Sequence, residues 1–184
     1  MTLVMGVSDH IVAIDAGREL AQGSVAQIQQ SPEVRQAYLG DEAARRAPAA
    51  RQRPAGESLP PEVLGVGNLT TGYGANPVLH GIDLQVRQGE MVALLGANGA
   101  GKTTTLRLMA GFYTPDSGRI AIRGREPVPG RGNADIGYLP ERAPLYDALT
   151  VTQYLEFGAG VKVQGGARAR RQAIERAIDG FDLQ

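Results

Sequence analysis

The pattern of apolar and polar positions divides the 184-residue chain into three parts. In residues 1–40 the short apolar run HIVAID predicts a strand, and SVAQIQQ and SPEVRQAYLG predict helical segments that begin at Ser24 and Pro32. Residues 41–61 combine Ala, Arg and Pro with almost no large apolar side chain, and such a composition cannot bury a core. Apolar periodicity resumes over residues 62–184. The pattern therefore predicts two ordered segments joined by a flexible linker.

The third part contains alternating signals for strands and helices. VLGVGNLTT and VLHGIDLQV predict short strands, EMVALL has the length and branching of a buried strand, and GRIAIRG and DIGYLP predict two more. KTTTLRLMAG has helical spacing and ends at Gly111, while Thr150 is expected to begin a further helix. The last predicted helix is amphipathic. Its apolar positions are Ile174, Ala177, Ile178 and Phe181. Together these elements predict an α/β fold.

The strand EMVALL and the helix KTTTLRLMAG enclose a glycine-rich loop. The loop fits the pattern G-x-x-x-x-G-K-[ST], and its position between a strand and a helix is the context that supports a phosphate-binding loop. Glycines let the backbone approach an anion closely, and the helix N-terminus adds partial positive charge. Lys102 is expected to contact the terminal phosphates, and the Thr103 hydroxyl to ligate Mg²⁺. The predicted nucleotide-binding residues of the loop are Gly96, Ala97, Asn98, Gly99, Ala100, Gly101, Lys102, Thr103 and Thr104.

Composition narrows the class of protein. The chain has 19 basic and 19 acidic side chains, so no excess of positive charge favours nucleic acid. Cysteine is absent, which excludes disulfides and thiolate metal sites and fits a reducing cytoplasm. No apolar run reaches the roughly 18 residues needed to span a membrane. We therefore expect a protein that has no membrane span of its own and binds no nucleic acid.

Residues 63–124 resemble the start of an ATP-binding-cassette (ABC) nucleotide-binding domain. The resemblance rests on TTGYGANPVLHGIDLQVRQGE before the loop, on the loop itself and on AGFYTPDSGRIAIRG after it. GANGAGKTTTLR is most similar to the ATPases of branched-chain amino-acid importers. The resemblance implies an ABC-type P-loop NTPase with short antiparallel strands before the loop. It also implies that Tyr73 stacks on adenine with Val78 beside it.

Two further segments resemble parts of the same family. Residues 1–40 resemble the C-terminal tail of a branched-chain amino-acid importer ATPase. Residues 136–157 resemble export-type ABC ATPases, with Glu141 where a Gln is usual. Glu141 either helps to hold Mg²⁺ and its bound water, as a weak candidate for a catalytic role, or is a surface residue at the end of a strand. The predicted organisation is thus a tail, a linker over 41–61, and the N-terminal part of a second cassette over 62–184.

The resemblance also implies residues for hydrolysis that this sequence does not supply. After Thr103 no apolar strand ends in Asp-Glu, the pair expected to tune Mg²⁺ and polarise water. Asp15 ends an apolar run but is not followed by Glu, and 163–168 (VQGGAR) lacks the serine of the Leu-Ser-Gly-Gly-Gln signature. His10 and His80 do not lie where the switch histidine belongs. We therefore expect an incomplete cassette that binds ATP·Mg²⁺ without appreciable hydrolysis.

Two kinds of function remain open from the sequence. One is the ATP-binding component of an ABC transporter, for which the resemblance implies branched-chain amino acids as the transported class. It would work with a permease subunit and a second nucleotide-binding domain at the inner face of the plasma membrane. The other is a non-catalytic nucleotide-binding module, or a non-functional fragment of a double-cassette ATPase.

Overall fold

The structure is a computed structural model that describes residues 2–39, 59–128, 135–141, 145–163 and 165–181. It divides into two compact units, Met1–Ile136 and Gly137–Gln184. Residues 41–58 of the predicted linker lie outside the described residues, so the linker stays a prediction. None of the helices in the described part has the length and apolar character that crossing a bilayer would require.

Strand β1 (His10–Asp15) is the centre of the first sheet. It pairs antiparallel with β2 (Arg18–Gly23) and parallel with β5 (Val92–Leu95), so that His10 lies opposite Val92. The four residues 11–14 are at most 1% exposed. A strand that is covered on both faces is expected to be continuously apolar, which explains why HIVAID does not alternate with polar residues.

The second sheet is antiparallel and has the order β4-β3-β6. Its strands are β3 (Glu62–Tyr73), β4 (Asn76–Arg87) and β6 (Ser117–Ile122). The predicted antiparallel strands before the loop are thereby confirmed. The first two are longer than their apolar runs suggested, because they form one hairpin that continues to Tyr73 opposite Asn76.

Among the described residues, the first unit has five helical segments. These are α1 (Thr2–Val7), α2 (Val25–Gln30), α3 (Pro32–Val34), the π-helical turn Arg35–Leu39 that continues it, and α4 (Lys102–Met109). The Ser24 side chain accepts from the Gln27 amide in a capping box, and Pro32 is the first residue of α3. Both predicted starts are confirmed.

The end of α4 is a glycine-terminated motif. Gly111 has a φ of 78° and donates from its amide to the Leu108 carbonyl, while the Phe112 amide donates to the Arg107 carbonyl. These two bonds satisfy carbonyls that the helix end would otherwise leave open. The predicted stop at Gly111 is confirmed.

Two clusters of buried side chains share strand β1. Val12 and Ile14 pack with the antiparallel sheet and Leu108 of α4, whereas Ile11 and Ala13 pack with the short N-terminal helices. The N-terminal segment and the P-loop segment are therefore parts of one compact unit. The predicted division into a tail over 1–40, a linker over 41–61 and a cassette part over 62–184 stays a prediction. The two segments meet because β1 pairs edge to edge with β5 and packs one face on the antiparallel sheet and the other on the N-terminal helices.

The second unit contains α5 (Val151–Lys162) and α6 (Ala167–Gly180), which pack on each other. Thr150 caps α5 in a capping box with Gln153, as predicted. On α6 the predicted apolar face is half-buried, but Phe181 is 77% exposed. The periodicity placed Phe181 on that face, yet it lies just beyond the end of the helix.

The prediction of a strand over DIGYLP, residues 135–140, is wrong. This segment is irregular, no described strand pairs with it, and Leu139 is 85% exposed. Only Ile136 packs against the first cluster. Strand preference reflects packing against neighbouring strands more than an intrinsic backbone tendency. A β-prone sequence without a pairing neighbour therefore remains irregular.

Candidate functional site

The glycine-rich loop begins where β5 ends at Leu95 and finishes where α4 begins at Lys102. Gly101 precedes the helix and supplies no side-chain cap. The first amides of α4 are therefore left without a capping side chain, and such amides favour an anion. The strand, loop and helix predicted from the sequence are confirmed.

Three glycines are required by the shape of the loop. A Cβ on Gly96 would lie 2.5 Å from the Ile14 carbonyl oxygen and 2.9 Å from the Ala100 Cβ. Gly99 and Gly101 have φ values of 87° and 100°, which residues other than glycine rarely adopt. The conformation of the loop backbone thus depends on glycine at these three positions of the motif.

The ammonium group of Lys102 is held at the loop. Its Nζ donates to the carbonyl oxygens of Gly96 and Ala97, both at 2.8 Å. The half-exposed side chain lies over the backbone that is expected to surround phosphate. A positive charge is therefore positioned where the sequence predicts the terminal phosphates.

The threonines that follow the lysine differ in burial. Thr103 is exposed and Thr104 is half-buried, whereas Thr105 is fully buried and donates to the Gly101 carbonyl at 3.0 Å. Sequence reasoning singled out the first two and missed Thr105. Its position four residues after Gly101, at helical spacing, is the signal that could have identified it. Among the described residues, no group of three acidic or His side chains could hold a metal ion. The hydroxyl of Thr103 thus remains the metal ligand predicted within the first unit.

Tyr73 lies at the end of the β3–β4 hairpin and is 54% exposed. Its ring meets Tyr113 edge to face, with centroids 6.5 Å apart. Asp116 supports the hairpin, because its carboxylate accepts from the Gly72 amide at 2.9 Å and its own amide donates to the Thr70 carbonyl. An exposed aromatic face is consistent with the predicted contact to a base, which stays a prediction.

Sequence reasoning missed Tyr113 and Asp116 as site residues, although both lie in AGFYTPDSGRIAIRG, the segment after the loop that carries the family resemblance. Asp side chains in turns commonly accept from nearby backbone amides. The partner here is distant in sequence, so only the tertiary structure identifies Gly72.

The other predicted residues are placed differently. Val78 is half-buried and packs against the first cluster. The neighbouring Leu79 lies against the loop, because a Cβ on Gly101 would be 2.5 Å from the Leu79 Cδ2. This contact brings β4 to the loop. Glu141 is exposed and belongs to the second unit. Its approach to Mg²⁺ and Thr103 stays a prediction.

Comparison with known sequences identifies two family profiles. The profile described as ABC transporter matches residues 79–184. The profile described as branched-chain amino acid ATP-binding cassette transporter matches residues 18–44. The second match lies in the segment that resembles the C-terminal tail of importer ATPases.

Curated relatives include exporters and importers. The lipopolysaccharide export system ATP-binding protein of Haemophilus influenzae is 34% identical over 66% of this chain and 52% of its own length. The SkfA peptide export ATP-binding protein of Bacillus subtilis is 38% identical over 53% of this chain and 41% of its own length. The aliphatic sulfonates import ATP-binding protein of Burkholderia ambifaria is 34% identical over 84% of this chain and 49% of its own length. The chain thus spans about half the length of these relatives or less.

A solved structure also resembles this chain. An ATP-binding subunit of an ABC transporter is 37% identical and has a TM-score of 0.52 over 59% of this chain and 46% of its own. A nucleotide-free ATP-binding cassette, 21% identical with a TM-score of 0.51, covers 66% of this chain and 53% of its own and shares the fold. The predicted P-loop α/β fold is confirmed.

Proposed function

This chain belongs to the ABC transporter family, and we propose that it binds ATP together with Mg²⁺ through residues 96–104. The observation that supports the proposal is the geometry of this loop. A Cβ on Gly96 or Gly101 would clash with neighbouring atoms, and Gly99 has a positive φ of 87°. Two loop carbonyls hold the Lys102 ammonium at 2.8 Å. A tight glycine backbone, a fixed positive charge and an uncapped helix start together suit the phosphates of a nucleotide.

The residues present fit the nucleotide and its metal. Lys102 supplies charge to the terminal phosphates, and Thr103 holds an exposed hydroxyl at the first turn of α4. When bound, Mg²⁺ neutralises phosphate charge. Tyr73 offers an exposed ring to adenine, and Asp116 keeps the hairpin that carries this ring in place.

We further propose a permease subunit and a second nucleotide-binding domain as partners at the cytoplasmic face of the plasma membrane. Family membership supports this, because ABC ATP-binding subunits work with membrane components. The second unit adds support, since several of its large apolar side chains are exposed, as is common at protein interfaces. They are Leu139, Leu145, Tyr146, Phe157, Val161 and Phe181. The family profile over residues 18–44 favours branched-chain amino acids as the transported class.

The second candidate function is a non-catalytic nucleotide-binding module. It is favoured by one observation from the sequence, the lack of an apolar strand ending in Asp-Glu after Thr103. The two candidates share ATP binding and differ in turnover, so measurements of binding and of hydrolysis separate them.

The experiment that tests ATP binding compares calorimetric titrations in Mg²⁺ and in EDTA. We expect wild-type protein to bind ATP more tightly in Mg²⁺. Thr103→Ala should reduce that gain about 10- to 150-fold, because a hydroxyl bonded to a charged group is worth about 1.5–3 kcal/mol. Thr152→Ala, which removes an exposed hydroxyl from α5, is the matched control. Equal affinities in Mg²⁺ and EDTA for wild type would refute the metal assignment.

The adenine contact predicts a difference between two substitutions of one residue. Tyr73→Phe keeps a ring and should bind ATP nearly as well as wild type. Tyr73→Ala should weaken binding about 5- to 150-fold, because stacking on a base is worth roughly 1–3 kcal/mol. Tyr146→Ala removes another exposed ring and should leave affinity unchanged. An unchanged affinity for Tyr73→Ala would place the base elsewhere.

A further inference from the structure

The turn between β1 and β2 lies directly against the phosphate-binding loop. The Gly17 amide donates to the Ala100 carbonyl at 3.1 Å, and the Gly17 carbonyl accepts from the His80 amide at 2.8 Å. Ala100 is only 3% exposed, so its carbonyl depends on this partner in a region with little access to water. The N-terminal segment thus satisfies a backbone group of the loop.

Only glycine fits at position 17. Its φ is 75°, and a Cβ there would lie 1.9 Å from the Val78 carbonyl oxygen and 3.1 Å from the His80 ring. Ala16 before it also has a positive φ, 44°, as a tight hairpin turn requires. Because position 17 has no side chain, the turn can pack closely between β4 and the loop.

A tyrosine from the π-helical turn supports the same end of β1. The Tyr38 hydroxyl lies 3.0 Å from the Ile14 carbonyl oxygen and 3.1 Å from a carboxylate oxygen of Asp15. Burial raises the pKa of the Tyr38 hydroxyl, the nearby Ala97 backbone opposes the rise, and the Asp15 carboxylate adds to it. Tyr38 therefore stays protonated near neutral pH and supports the end of β1, where the Ile14 carbonyl that it contacts lies beside Gly96 of the loop.

Both ends of the loop meet this part of the N-terminal segment. A Cβ placed on Gly96 would lie closest to the Ile14 carbonyl oxygen, which Tyr38 contacts. A Cβ placed on Gly101 would lie 3.7 Å from the Gly17 Cα. No local pattern connects residues 14–17 with the loop, since more than 75 positions separate them. The parallel pairing of β1 with β5 creates the contact.

We propose that residues 14–17 and Tyr38 are positioning residues that hold the phosphate-binding loop in its nucleotide-accepting shape. The inference rests on the proposed binding of ATP by that loop. Docking of the N-terminal segment and nucleotide binding are then coupled. By linkage, each strengthens the other by the same factor.

The test uses full-length protein with Tyr38→Phe, which removes the hydroxyl and keeps the ring. Tyr146→Phe is the matched control, because Tyr146 is an exposed tyrosine of the second unit. ATP affinity is measured by calorimetry in Mg²⁺, at a temperature where circular dichroism shows both variants folded. Amide hydrogen exchange of residues 96–102 is measured without nucleotide. Gly17→Ala is a second variant with a stronger expected effect.

We expect Tyr38→Phe to weaken ATP binding about 3- to 10-fold, the effect of losing one hydrogen bond, and to speed exchange in the loop. Loss of a merely structural contact would lower the melting temperature and leave the affinity of the folded protein unchanged. Unchanged affinity in folded Tyr38→Phe therefore overturns the proposal. If wild type binds no ATP, the proposed function fails. Faster loop exchange in Tyr38→Phe would then still support the positioning contact, and unchanged exchange would overturn it.

Discussion

Lys102→Ala is expected to lose most of the chain's affinity for ATP. Removing one partner of a charge-assisted contact costs roughly 2–5 kcal/mol, which corresponds to about 30-fold to several-thousand-fold in affinity. Because the Lys102 side chain is half-exposed, the lower part of that range is the better expectation. The substitution also removes the two hydrogen bonds to the carbonyls of Gly96 and Ala97, which stabilise the conformation of the loop.

The measurement is calorimetric titration of ATP in Mg²⁺ with both proteins at the same temperature. Arg125→Ala is the matched control, since it removes one exposed positive charge and leaves the backbone bonds of Arg125 with Ile122 in place. Thermal unfolding without nucleotide shows whether each variant is folded. Equal affinity for wild type and folded Lys102→Ala would mean that the loop does not hold phosphate.

Turnover is expected to be slow even though ATP binds. General-base assistance is typically worth 10²–10⁴-fold, and after Thr103 the sequence has no strand ending in Asp-Glu to supply it. Against a typical rate of about 10 s⁻¹ for enzymes, steady-state phosphate release should fall to about 0.1 s⁻¹ or less. This expectation concerns the 184-residue chain by itself.

Three proteins test the turnover prediction side by side. Wild type, Lys102→Ala and Glu141→Gln should release phosphate at similarly low rates. A rate near 10 s⁻¹, a typical enzyme value, that Lys102→Ala abolishes would show that another residue acts as the base. If Glu141→Gln alone abolished that rate, Glu141 would be that residue. Such a result would also favour the transporter ATPase over the non-catalytic module.

Several elements follow from the sequence because their causes are local. The phosphate-binding loop is specified by the positions of its glycines, which permit left-handed backbone at Gly99 and Gly101. Helix starts at Ser24 and Thr150 follow from side chains that cap the backbone three residues away. The stop of α4 at Gly111 follows from its positive φ. These interactions span a few residues, so pattern and spacing suffice to predict them.

Contacts between distant residues were decided only by the tertiary structure. The sequence indicated that β1 is an apolar strand. Its parallel pairing with β5 could not be predicted, because the pairing depends on which strand the fold places beside β1. That pairing joins the N-terminal segment to the loop in one unit. It brings Gly17 to Ala100 and places the Ile14 carbonyl, which Tyr38 contacts, beside Gly96. The same dependence explains the wrong strand at 135–140, since no strand among the described residues pairs with this β-prone segment. Local sequence thus determined the loop and the helix ends, whereas strand pairing, a long-range interaction, determined what supports the loop.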